Sequence, residues 1–103
     1  MTQDSVSRRE FTVAGYECVI LKPPNVAGWT GYIVERAASA DDRAVVSDDQ
    51  YIAGHRMSRG FSGLPDGRSV VLVASHSDGR ISGFDEVALV LILTDVANAL
   101  PKK

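Results

Sequence analysis

"GFDEVALVLILTDVANALPKK", Gly83 to Lys103, closes the chain, and its reading decides the fold. Val87 to Leu93 is a continuous apolar run bracketed by Asp85, Glu86 and Asp95. The run is too short for a bilayer span, which needs about 20 apolar residues. A buried strand would produce the same run, but three features favour a helix. Ser82 followed by Asp85 resembles a capping box, with Asp in place of Glu or Gln. Asp85 and Glu86 would fall in the first turn, where negative charge complements the helix dipole. Leu and Ala fill the run, and Pro101 with two lysines follows it. The pattern predicts a helix over 83–99, about 25 Å long at 1.5 Å per residue.

On a helical wheel the apolar residues of this segment do not share one side. Leu89, Leu93, Val96, Ala97 and their neighbours make a broad arc that would cover a sheet. Phe84, Val87 and Leu91 fall on the opposite arc, with Thr94, Asp95 and Asn98. Their spacing of i, i+3, i+7 makes them one stripe. A single sheet cannot cover both sides of one helix, so either the N-terminal arm or the 37–63 segment folds over the stripe, or another protein chain covers it, most simply a second copy in an isologous homodimer; the reading taken is the partner interface.

Upstream the chain reads as strands. Ser69–His76 is the clearest, with Val70, Leu72 and Ala74 on one face and Val71 and Val73 on the other. Apolar residues on both faces place it centrally in a sheet. Phe11–Lys22 is a second strand, with Gly15 as a bulge or break. Trp29–Arg36 is a third, aromatic and β-branched, and Tyr51–Ala53 a short fourth. Asp66-Gly67 marks a turn. Strands first and a helix last give an α+β domain: a small antiparallel sheet of about four strands with one long C-terminal helix packed on one face. Residues 1–10 read as a flexible N-terminal arm and 11–103 as a single domain. At 103 residues the chain is long enough for one core without metal or disulfide support.

A formal net charge of −2 argues against a dedicated nucleic-acid binder. The one cysteine, Cys18, cannot form an internal disulfide. The first residues, MTQDSVSRREF, lack the apolar segment of a secretory signal. The expectation is a cytoplasmic protein without membrane attachment.

No group in the sequence makes a convincing catalytic, metal or cofactor site. Cys18 lies in strand sequence as a small buried hydrophobe. His76 has Ser75, Ser77 and Asp78 beside it, but adjacent strand residues point to opposite faces, and the G-x-S-x-G elbow is absent. Asp41-Asp42 and Asp48-Asp49 do not have the EF-hand spacing. The segment Gly54–Arg68 is a different matter. It interleaves His55, Arg56, Arg59, Phe61 and Arg68 with glycines. Arginines pair with phosphates and an aromatic ring stacks on a base. It has no Walker lysine.

"YECVI" and "GWTGYIVE" resemble the opening hairpin of small uncharacterised proteins of bacteriophages and mobile elements. The resemblance covers that hairpin alone and implies a phage-like origin, with a modulator or inhibitor of a host system as the kind of role. The reading is a small, non-enzymatic protein-interaction domain that self-associates. The alternative is a phosphate- or nucleic-acid-binding module built on the Gly54–Arg68 segment.

Overall fold

Side-chain alternation and two Ala-Gly turns lay the described residues into six strands and a helix. The structure, a computed structural model, describes residues 7–39, 49–61 and 69–102. The strands are β1 (Ser7–Val13), β2 (Tyr16–Lys22), β3 (Thr30–Ala37), β4 (Asp49–Ile52), β5 (His55–Phe61) and β6 (Ser69–Ala74), followed by α1 (Glu86–Ala99). They form one sheet in the order β1-β2-β3-β6-β5-β4, and every pairing is antiparallel. Two meanders of three strands each meet where β3 pairs with β6.

The α+β class, the antiparallel sheet and the terminal helix agree with the sequence reading; the strand number does not. Phe11–Lys22 is not one strand. Ala14 and Gly15, at φ 53° and 85°, form a two-residue turn between β1 and β2, and Val13 pairs with Tyr16 across it. Positive φ at both turn residues is the type I′ geometry that matches strand twist. Ser7–Glu10 are therefore strand residues rather than arm. The same device recurs at Ala53 and Gly54, at φ 52° and 81°. It turns β4 into β5, so His55–Phe61 is a strand and not a loop. The Asp66-Gly67 turn, Asp41, Asp42 and Asp48 lie outside the described residues.

Residues opposite one another in an antiparallel ladder share a face. Cys18 faces Ile33, and Ile33 faces Leu72. With Ile20, Met57 and Ala74 they make one buried floor. The helix lies over β1, β2, β3 and β6 and sets Leu89, Leu93, Val96 and Ala97 into that floor. Gly31 makes the close approach possible: a Cβ there would stand 2.8 Å from Ile20 Cγ2 and 3.0 Å from Leu89 Cδ2. Each large side chain so buried contributes roughly 1.5–3 kcal/mol.

The other face carries a row through all six strands: Glu10, Val19, Tyr32, Val73, Ser58 and Asp49. Its centre is apolar and its two ends are acidic. Charge on edge strands discourages pairing with another sheet edge.

The helix begins later than its sequence suggested. Asp85 itself is the N-cap, with extended backbone, and its carboxylate accepts from the Ala88 N–H at 3.3 Å. This satisfies one of the orphan donors of the first turn. At the far end the Leu100 N–H reaches the Val96 and Ala97 carbonyls. The Tyr16 hydroxyl donates to the Pro101 carbonyl, fixing the chain after the helix to β2. Arg9 and Glu86 join β1 to the first turn at 3.0 Å.

Candidate functional site

β6 ends at Ala74 beside the start of β5, and the chain then turns back toward the helix. The Ser75 N–H continues the pairing by donating to the Arg56 carbonyl at 3.0 Å. The turn that follows is closed by the His76 N–H donating to the Arg80 carbonyl and the Gly79 N–H donating to the His76 carbonyl, at 2.8 and 2.9 Å. Next, Phe84 pairs with Trp29 through two backbone hydrogen bonds of 2.8 and 3.1 Å. This places the Phe84 ring flat on the His76 ring, with centroids 3.8 Å apart and planes 9° apart.

These segments enclose a pocket of about 250 Å³. Tyr51, Gly54, His55 and Arg56 of the β4–β5 hairpin form one side. Ser75, His76 and Ser77 form another, and Phe84 with Ile92 of α1 supply apolar surface. Arg56 is held in place on all sides. Nη1 donates to the His76 and Ser77 carbonyls at 3.3 and 2.8 Å, and Nη2 donates to Asp49. Hydrogen bonds from Arg56 first, and then from Ser58, hold the Asp49 carboxyl below its ordinary range. His55 Nε2 lies 3.2 Å from Asp95 Oδ2. That contact links the first residue of β5 to the helix above the pocket.

Of the basic set, His55 and Arg56 meet at the pocket. Arg59 does not: it grips Glu35 with two hydrogen bonds of 3.1 and 3.3 Å. Phe61 ends β5 away from the pocket, and Arg68 lies outside the described residues. His55, Arg56 and Arg59 each have a carboxylate partner, so a phosphate would compete with Asp95, Asp49 or Glu35 for them.

The predicted stripe on α1 divides. Phe84 precedes the helix and is buried at 8% exposure, whereas Val87 and Leu91 are exposed at 67% and 60%. Phe84 is thus a core residue that also lines the pocket, a correction to its assignment to the outer stripe. The displacement follows from the cap: a helix starting at Glu86 leaves residue 84 in extended chain.

In the Ser-His-Asp grouping the Asp78 carboxylate is engaged by Arg80 and the His76 ring is stacked on Phe84. Asp78 accepts from its neighbour Arg80, at 3.1 Å from the backbone N–H and 2.8 Å from Nε. Cys18 is fully buried, and burial, with Glu17 second, pushes its thiol up to about 11. Among the described residues no three of His, Cys, Asp and Glu come together as metal ligands, and no helix is long and apolar enough to cross a membrane.

Local pattern does not reveal this pocket. Tyr51, Ser75 and Ile92 carry no motif, and the residues beside His76 in sequence do not point to Phe84 or Arg56. Compared with known protein families, curated proteins and solved structures, the chain matches none.

Proposed function

We propose that this chain is a small, non-enzymatic interaction domain that self-associates through the outer face of α1. The observation that carries the reading is the exposure of Val87 and Leu91, one turn apart on a helix whose inner face is already satisfied by the sheet. Ala88 lies between them and is also exposed, so another helix can approach closely. Two further exposed apolar residues, Val26 and Ile81, lie near each other. Val26 is two residues from Gly28 and Ile81 two from Gly83, and these glycines touch.

Two antiparallel copies of α1, centred between Val87 and Leu91, set each valine against the other copy's leucine. Because α1 starts at Glu86, the two helix starts lie side by side, with the two Glu86 about 9 Å apart along the axis, and Arg9 is bonded to Glu86. Completing the burial of four such side chains contributes roughly 4–8 kcal/mol, against an association cost of about 4–15 kcal/mol. The dimer is therefore weak and concentration-dependent. Phosphate or nucleic-acid binding by the Gly54–Arg68 segment has less support, because its described cations are already engaged with carboxylates.

Sedimentation from about 10 μM to about 1 mM tests the reading, a range that brackets such weak affinities. The wild type should shift toward dimer, and Val87→Glu with Leu91→Glu should stay folded and monomeric. A wild type that remains monomeric throughout removes the proposal, as does a double variant that unfolds.

A further inference from the structure

α1 lies over β1, β2, β3 and β6, so the β4–β5 hairpin stands at the margin of the surface it covers. The ladder register sorts the hairpin's side chains between the two faces. Met57 pairs with Ala74, and both belong to the buried floor under the helix. His55 is two residues from Met57 in the same strand, so it shares the helix side. Arg56 and Tyr51 are opposite one another and face the other way, where Asp49 holds Arg56. At the turn end of the hairpin, His55 is thus the titratable group that can meet α1. It meets Asp95: Nε2 and Oδ2 are 3.2 Å apart, with the two side chains 29% and 60% exposed.

The charged groups around this contact have partners of their own. Arg56 is with Asp49, Asp78 with Arg80, and Glu86, at the start of α1, with Arg9. Tyr51 and His76 line the pocket beside His55, and the His76 ring lies on Phe84. The pocket lining holds no carboxylate, so Asp95 is the acid that His55 answers to. Their contact has two strengths. A neutral imidazole gives a carboxylate one ordinary hydrogen bond, whereas an imidazolium gives a charge-assisted bond roughly twice as strong. Imidazoles change between these forms from about pH 8 to about pH 5, where carboxylates are ionised. The stronger bond is present on the acid side of that range and is lost as pH rises through it.

We infer that His55 and Asp95 form a proton-dependent clasp: a proton on His55 closes the hairpin turn onto α1 and narrows the pocket between them. The clasp is independent of the outer helix face. The moving part is small. β4 has four residues and lies at the sheet edge, and Ala53 and Gly54 of the turn are exposed. Beyond the turn, Arg56 is fixed to the His76 and Ser77 carbonyls, and its own carbonyl accepts from the Ser75 N–H. Opening is therefore confined to the stretch from Ile52 to His55. A part-exposed ion pair is worth little and is screened by salt, so the open population should change by only about 2–5-fold.

The test is methyl relaxation dispersion on the full chain with 13C-labelled isoleucines. Ile52 reports on the hairpin and Ile92 on the helix beside the pocket, while Ile33, fully buried in the sheet, is the quiet reference. The open population at Ile52 and Ile92 should be about 2–5-fold larger at about pH 8 than at about pH 5.5, with Ile33 flat at both. His55→Gln and Asp95→Asn should each abolish the difference. His76→Gln, the control for the other of the two histidines, should keep it. A double-mutant cycle of His55→Gln and Asp95→Asn in urea melts measures the clasp itself. The pair should be coupled by about 2–5-fold in the unfolding constant at about pH 5.5, and by less at about pH 8. The inference is overturned if Ile52 and Ile92 show the same open population, or no exchange, at both pH values. It is overturned equally if the pH difference survives Asp95→Asn, if His76→Gln removes it, or if the cycle shows no coupling at about pH 5.5.

Discussion

Gly28 and Gly83 meet backbone to backbone: a Cβ built on Gly28 would stand 2.4 Å from the Gly83 Cα. That contact brings Trp29 alongside Phe84 and delivers the chain to the start of α1. Both glycines also have positive φ, 88° and 94°. Gly28→Ala should therefore lower stability in urea by about 2–4 kcal/mol, combining left-handed strain with the steric clash. Gly79 separates the two terms. Its φ is +90° but nothing lies within 4 Å, so Gly79→Ala should cost only about 1–2 kcal/mol. Equal losses would mean that the Gly28–Gly83 contact contributes nothing.

The Ala-Gly turns carry strain that substitution can relieve. Ala14 and Ala53 hold φ of 53° and 52°, where a Cβ is unfavourable and Asn is the preferred residue before Gly. Ala14→Asn and Ala53→Asn should each raise the urea midpoint, by about 0.5–1 kcal/mol in stability. A loss at both sites would contradict type I′ geometry there.

These turns also explain what could and could not be read beforehand. β2, β3 and β6 carry runs of apolar residues that announce them, whereas β5, although it too lies inside the sheet, does not. β1 and β5 are interrupted or polar, and Ala-Gly lacks the Asn-Gly or Asp-Gly signature of a tight hairpin. HRMSRGF looks like a basic loop because only Met57 of its side chains is fully buried. Its cations were visible; their carboxylate partners were not. Asp95 is 40 residues from His55 and Glu35 is 24 from Arg59, and no local periodicity encodes such meetings. The pocket depends on the same kind of long-range contact.

Cys18 should make stability fall at high pH. Its ordinary thiol value of 9.0 is raised to about 11 in the fold, chiefly by burial. A raised value favours the neutral thiol, so this contribution is complete below pH 9.0 and lost as pH climbs to about 11. Other groups titrate in that window, so the useful quantity is the difference between wild type and Cys18→Ala in parallel urea melts. The wild type should lose up to ~3 kcal/mol more than the variant. Parallel curves would contradict the burial argument, as would rapid modification of the native thiol at neutral pH.

Phe84, Val87 and Leu91 share a spacing but not a role, and alanine substitution distinguishes them. The Phe84 ring lies against His76 at 3.8 Å and its backbone is bonded to Trp29. Phe84→Ala opens a cavity in packed surroundings and should cost about 3–5 kcal/mol. Leu91 and Val87 are mostly in water, and alanine is a better helix former than either. Leu91→Ala and Val87→Ala should therefore stay within about 0.5 kcal/mol of wild type in urea melts at low micromolar concentration, where a weak dimer is dissociated. Repeating the melts near millimolar concentration adds the second half of the test. The wild type should gain stability on concentration, while the Leu91 and Val87 variants should gain less, because mass action rewards only the protein that can pair. A large loss from Leu91→Ala at dilution would make that residue core. Equal gains on concentration for all three proteins would leave the helix face outside the dimer contact.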